Sequence, residues 1–281
     1  LKPRADIVLV GKAYSPGKRP VTAIDVLLRV GRISKTIRVI GDRIWSFPTK
    51  LVLIPVISNP PLAFMEMPLV YERAFGGIDH KAGKWCKENL IGRGFIGKKS
   101  KDSIHQKLLP NLEDPNHLIE SWDSQPKPVS FGFYGRGWQP RVGYAGTIED
   151  EHPPDGATGL PADFRFDFYN GAHPDLQAPG YLRGDEEVEM RHLTPEGHLL
   201  FRLSGVRPVI TVSRLMDSPK SNKQPAPVEL PAREEKIEAP LDTLVFLPDE
   251  GVFYQVWRGL CPLRELSVEE ISAIKIQLTK V

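Results

Sequence analysis

Between Ala23 and Ile40 apolar and polar side chains change places at almost every step. Ile24, Val26, Leu28 and Val30 alternate with Asp25, Leu27 and Arg29; after the Gly31-Arg32 step, Ile37 and Val39 alternate with Thr36 and Arg38. A period of two sends successive side chains to opposite faces of a strand, so two such runs around a glycine turn predict a β-hairpin. Asp42-Arg43-Ile44-Trp45 is expected to lengthen it. Asp6–Val10 reads as a strand, and Leu51–Ile57 as a more buried one that Pro55 confines to an edge or an end. Leu199–Leu203 and Arg207–Leu215 read as two more. Leu241–Leu247 and Val252–Trp257 flank Pro248-Asp249-Glu250-Gly251, where proline fixes φ and glycine accepts a positive φ, which predicts a second hairpin. Ser267-Val268-Glu269-Glu270 has the spacing of a capping box. With Ile274, Ile276 and Leu278 alternating after it, one helical turn leading into a last strand is expected.

No long amphipathic helix is visible, and the 27 prolines and 24 glycines would interrupt one. The fold class is therefore mainly β: an antiparallel β-sandwich or barrel-like sheet with long ordered loops and little helix. From Pro60 to Asp185 regular pattern is sparse, yet Trp85, Trp122, Trp138 and many Phe and Tyr residues punctuate it, which predicts irregular chain packed on the sheet. Residues 216–240 hold five prolines among Lys, Ser, Asn and Glu and read as an extended, mobile linker or surface loop. The expected organisation is a main β domain over 1–215, that linker, and a hairpin and final strand over 241–281 completing the same domain.

At 281 residues the chain is long enough for a substantial core, and a net charge of +2, evenly spread, gives no basis for nucleic-acid or membrane affinity. No apolar run is long enough to cross a bilayer. Two cysteines, Cys86 and Cys261, make neither a disulfide framework nor a metal cluster and fit a reducing cytoplasm. The sequence starts at Leu1 almost directly before a strand, without a signal peptide, and further residues upstream are expected.

Gly92-Arg93-Gly94-Phe95-Ile96-Gly97-Lys98-Lys99-Ser100 matches G-x-G-x-x-G and most of G-x-x-x-x-G-K. Nucleotide chemistry needs a buried strand before such glycines, a helix after them, and Ser or Thr beside the lysine. Here Lys99 holds that place and no βαβ unit surrounds the stretch. A glycine-rich turn is the better reading. The seven histidines show no H-E-x-x-H or convincing i, i+4 pair, so no metal or other cofactor is expected. His173-Pro174-Asp175 reads as a solvated turn. No G-x-S-x-G is present, and Cys86 beside Lys87 is a weak nucleophile candidate whose thiol the lysine would acidify. Paired carboxylates, Asp163 with Asp167 or Glu113 with Asp114, leave a carbohydrate-active β enzyme of the glycoside hydrolase kind as the alternative.

What remains is aromatic, arginine and glycine clusters on loops. Tyr71, Glu72, Arg73, Phe75, Gly76 and Gly77 form one; Asn89, Gly92, Arg93, Gly94 and Phe95 form another. Trp138, Pro140 and Arg141 form a third, and Phe164, Phe166, Phe168 and Tyr169 lie close to Asn170. Aromatic and arginine residues are those enriched where proteins meet. Most are expected to pack loops onto the sheet and a minority to contact a partner.

These clusters, in this order, resemble the bacterial family DUF2169. The segments that carry the likeness are "ADIVLVGKAYSPGKRPV", "DVLLRVGRISKTIRVIGDRIW", "MPLVYERAFGG", "NLIGRGF", "LPNLED", "WQPRVGYAGT", "LPADFRFDFYNGAHPDLQAPGYLRGDEEVEM" and "LDTLVFLPDEGVFYQVWRG". They span nearly the whole chain, and the resemblance adds Asp175, Tyr181 and Arg183 to the candidate partner-binding or structural positions. Two departures stand out. Leu90 follows Asn89 where the family often has proline, and Asn170-Gly171-Ala172-His173-Pro174-Asp175 shifts the spacing of the usual N-A-A-P-x-D-Q. The resemblance implies a non-catalytic adaptor or chaperone that helps load a protein effector onto the VgrG/PAAR spike of a type VI secretion system.

Overall fold

The structure, a computed structural model, describes residues 2–49, 54–147, 160–214, 233–261 and 271–280. It is mainly β, built from several sheets, none of which closes into a barrel among the described residues. One α-helix is present there, Lys101–Ile104, capped by the Ser100 hydroxyl, which accepts from the Ser103 amide at 3.1 Å.

The hairpin forms as its alternation requires. Ala23–Val30 pairs with Ile33–Ile40 in continuous register, from Ala23 opposite Ile40 to Val30 opposite Ile33. Val26, Leu28, Ile37 and Val39 are buried, whereas Arg38 forks onto both oxygens of Asp25 at 2.7 Å on the solvent face. Around it stands a five-stranded antiparallel sheet in the order Leu112–Glu113, Ile33–Ile40, Ala23–Val30, Glu187–Arg191, His198–Arg202. Asp42–Trp45 does not lengthen the hairpin. The Gly41 amide still reaches the Thr22 carbonyl at 2.9 Å, but beyond it the chain leaves the hairpin and Trp45–Ser46 pairs with Val56–Ile57 instead.

A second sheet runs in the order Gln177–Pro179, Arg4–Leu9, Leu241–Leu247, Val252–Trp257. Its central pair is parallel, Asp6 opposite Thr243 through Leu9 opposite Phe246, which departs from the antiparallel expectation. These strands come from opposite ends of the chain, so no tight turn dictates their direction. The second hairpin forms around Pro248–Glu250, with Gly251 at φ 69°.

Both sheets send side chains into one buried cluster, including Ile7, Leu9, Val26, Leu28, Val39, Val188, Leu244 and Phe246. From Ala5 to Leu9 this strand is buried on both faces, and irregular chain from the 60–185 region packs against it; Leu9, for example, donates its amide to the Phe131 carbonyl at 2.9 Å. A smaller cluster of Trp45, Phe75, Cys86, Phe95, Ile104, Leu109 and Ile119 lies under those loops.

Two further expectations change. Residues 51–53 of the Leu51–Ile57 run lie outside the described residues, and Val56–Ile57 is a two-residue strand on Trp45–Ser46 with Ile54 and Val56 exposed, not buried. Pro55 has no N–H with which to extend that ladder. Within the 216–240 segment, Arg233–Ile237 is a strand, in an antiparallel sheet ordered Arg233–Ile237, Val206–Arg214, Ile271–Lys280. Residues 215–232 and the Ser267–Glu270 capping box lie outside the described residues.

Candidate functional site

The two glycine clusters of the sequence meet in one node. Phe75–Gly76 and Arg93–Gly94 form a short parallel ladder, Phe75 opposite Arg93 and Gly76 opposite Gly94. Asn89 is fully buried between them and donates Nδ2 to the carbonyls of Tyr71 at 2.8 Å and Phe75 at 3.0 Å. Gly77 has φ 96°, and a Cβ there would lie 2.3 Å from the Gly92 carbonyl oxygen. Gly94, at φ 93°, presses on Pro110, whose Cδ would be 2.8 Å from an added Cβ. The G-x-G-x-x-G pattern is therefore a site of close backbone approach, with no phosphate cradle implied.

Side chains of the node tie loops together. Arg93 donates Nε to the Glu72 carbonyl at 3.0 Å, and Arg73 donates to Asn111 Oδ1 at 2.9 Å. Both guanidinium groups lie 3.7 Å from Asp42. Burial, and then the neighbouring Arg73, holds the Arg93 pKa below its ordinary value. Phe75 and Phe95 meet edge to face in the smaller core. Tyr71, Tyr134 and Trp138 form a buried trio of T-shaped contacts with centroids 5.2–5.4 Å apart. Arg141 donates to the carbonyls of Phe168 at 2.8 Å and Tyr134 at 2.5 Å, stitching two loops. Asn170 donates to Arg4 and Asp6 at 2.8 and 2.9 Å, supporting a buried carboxylate that also pairs with Lys2 at 2.8 Å. Tyr181 donates to the Lys2 carbonyl at 3.0 Å, and Arg183 pairs with Asp185 at 3.2 Å near the surface.

A cavity of about 830 Å³ holds the remaining candidates, Pro140 and Asp175, with Glu88, Asp114, His117, Tyr134 and His173 among its lining. His173 is buried, not a solvated turn residue: Nδ1 accepts the Asp175 amide at 3.2 Å, and the ring also bonds the Pro128 backbone. Burial, reinforced by the Lys35 charge, brings its pKa down to about 4, so the ring is neutral at pH 7. Asp175 is paired with Lys35 at 2.7 Å. The imidazole is held by the Asp175 amide and by an edge-on contact with the Tyr134 ring, centroids 6.5 Å apart.

The other chemical candidates are similarly occupied. Glu113 is buried against Arg43 and accepts the Ile119 amide at 2.8 Å. Asp114 accepts the Asn116 amide at 2.9 Å and lies 3.2 Å from the His117 ring. Asp163 accepts from Thr147 at 2.7 and 2.8 Å, and Asp167 pairs with Arg165 at 3.3 Å. Burial pushes the Cys86 thiol pKa up, opposite to the acidification expected from Lys87. Among the described residues no three His, Cys, Asp or Glu side chains come together as metal ligands.

A different feature escaped the sequence reading. His198–Arg202 and Val252–Trp257 are each the last strand of a sheet, and each lacks a described partner on its outer side. Between them lies a cavity of about 570 Å³ lined by Met190, Leu199, Phe201, Phe246, Val252 and Phe253, with Glu196, Asp249 and Glu250 on its border. Phe201 lies across the mouth from Phe253, centroids 5.7 Å apart. Leu199, Leu200, Val252, Tyr254 and Val256 are all exposed. The signal was available: Val-Phe-Tyr-Gln-Val-Trp has no charge, proline or glycine in six residues.

Fold and site together define a mainly β scaffold with tightly packed loops and an open, apolar mouth where two sheet edges meet. The chain belongs to DUF2169, a family described as uncharacterized protein conserved in bacteria, whose model matches residues 1–258. No curated protein and no solved structure matches it. No helix among the described residues is long and apolar enough to cross a membrane.

Proposed function

We propose that this protein is a non-catalytic adaptor or chaperone that binds a type VI secretion effector and helps load it onto the VgrG/PAAR spike. It works in the bacterial cytoplasm through protein contacts, with no part for nucleic acid, cofactor or membrane insertion. The observation that carries the protein-binding reading is the open mouth: two sheet edges and exposed Leu199, Leu200, Val252 and Tyr254 around an apolar cleft. Exposed apolar surface of this kind, on an edge that can still pair, is the mark of an interaction site. The secretion context rests on the resemblance of nearly the whole chain to its family, over residues 1–258.

The test is co-expression with an effector encoded beside a PAAR or VgrG gene. The effector should co-purify with this chain and lose solubility and delivery when the chain is omitted. An effector equally soluble and equally delivered without it overturns the reading.

A further inference from the structure

Of the two strands at the mouth, Val252–Trp257 is the unprotected one. Natural edge strands carry lysines, prolines or bulges on the free side, or are very short, because a row of unpaired N–H and C=O groups recruits any extended chain. His198–Arg202 is bounded by a histidine and an arginine. Val252–Trp257 has six residues without charge or proline, roughly 20 Å of pairing edge at the usual rise per residue. Phe253 shares the inner face with Phe246, its cross-strand partner, and Tyr254 shares the outer face with Val245. An added strand would therefore meet apolar surface on both faces: Phe201, Phe246 and Phe253 inside, Tyr254 and Val256 outside.

Charge distinguishes the two ends. At the Val252 end stand Glu196, Asp249 and Glu250. Asp249 accepts the Tyr14 hydroxyl at 2.6 Å, whereas Glu196 and Glu250 are exposed and have no ion pair among the described residues. At the other end Arg258 lies 3.3 Å from the buried Asp242, so its charge is matched. The Val252 end of the mouth thus presents two exposed carboxylates, Glu196 and Glu250, whereas Arg258 at the other end is ion-paired.

We propose that Val252–Trp257 takes an extended segment of the partner protein as an added β-strand. That segment carries apolar side chains at alternate positions and lysine or arginine at the end beside Glu196 and Glu250. Backbone hydrogen bonds along the edge supply affinity, the cleft over Phe246 and Phe253 selects the alternating side chains, and the carboxylates select the basic end. The inference rests on the protein-binding reading above and names the chemistry of the bound segment.

A synthetic ten-residue peptide tests it, with valine and threonine alternating and two lysines at one end. The measurement is amide hydrogen exchange of the full chain, with binding followed by calorimetry. In the free protein about half of the amides in 252–257 should exchange fast, since one side of an antiparallel edge strand is unpaired. The lysine peptide should slow those amides selectively and bind about tenfold more tightly than the same peptide ending in glutamates. Alternate N-methylation of its backbone should abolish the protection. The double variant Glu196→Lys/Glu250→Lys, altered only on exposed positions, should reverse the preference between the two peptides.

The inference fails if all 252–257 amides are already slow in the free protein, or if protection appears elsewhere. It fails equally if the two peptides or the N-methylated one bind alike, or if the lysine peptide shows no protection at about 1 mM. These outcomes separate from the adaptor reading. An effector that co-purifies but protects another surface keeps the function and removes this strand; peptide pairing without any effector dependence does the reverse.

Discussion

The glycine node around Asn89 and the open mouth at Val252–Trp257 draw on the same residue types, aromatics beside turn formers, and put them to opposite uses. In the node every backbone group is near another: Asn89 serves two carbonyls, Gly77 lies against Gly92, and Phe95 is buried. At the mouth a whole strand edge is left without a described partner and its side chains stay exposed. The node spends its hydrogen-bonding capacity on holding loops to the sheet, whereas the mouth retains capacity for another chain. The contrast teaches that an aromatic–arginine–glycine motif marks a structural joint when its backbone is closed against other loops, even with Asn89 Oδ1 and the Tyr71 hydroxyl left unpaired, and an interface only when an edge stays open.

That contrast can be broken by mutation. Gly77→Val should destabilise most, by about 3–5 kcal/mol, because it combines a disfavoured positive φ with a clash against backbone that cannot move aside. Chemical denaturation measures it, and a cost under about 1 kcal/mol would mean the node is loose. Asn89→Ala should follow at about 2–4 kcal/mol, since it orphans two buried carbonyls and leaves a cavity.

Acid should act on the cavity through His173. The folded pKa of His173, about 4, lies below the value near 6.5 of an unfolded histidine, so the unfolded chain binds the proton first. Above about pH 6.5 the group contributes nothing; stability then falls as pH drops through the window to about 4, by on the order of 2–3 kcal/mol. Thermal melts across that window, compared with His173→Gln, should show a shallower slope in the variant, and an unchanged slope would remove His173 as the cause.

The mouth should answer differently. Tyr254→Lys, on an exposed edge position, should change folding stability by no more than about 0.5 kcal/mol while weakening partner binding. A large loss of stability would show that the edge belongs to the core after all. Smallest of all, Lys98→Ala should leave stability within about 0.5 kcal/mol, and neither it nor the parent should bind nucleotide in calorimetry.

Much of the strand inventory was legible. The 23–40 hairpin, the 241–257 hairpin with Gly251 in the left-handed region, and the strands near 199 and 207 all follow from period two and turn chemistry, which act between neighbours in sequence. The parallel pairing of Arg4–Leu9 with Leu241–Leu247 was not legible, because nothing local tells a strand which distant strand it will meet. His173 looked solvated because proline and aspartate beside it favour turns; the Lys35 and Tyr134 that bury and surround it arrive from far along the chain. The 233–237 strand was hidden by the prolines before it.

By itself, then, the sequence determined that this chain makes short strands and tight turns, and that its glycine pattern lacks the strand–helix setting a nucleotide site needs. Alternation and φ preference are properties of adjacent residues, so they can be read one after another. Which edges remain open was decided only in three dimensions. An edge is the absence of a neighbour, and whether Val252–Trp257 has one depends on the order of strands in the finished sheet. The same holds for the node: Asn89 is the residue type for a turn, and only packing between Tyr71, Phe75 and Gly92 turned it into a buried joint.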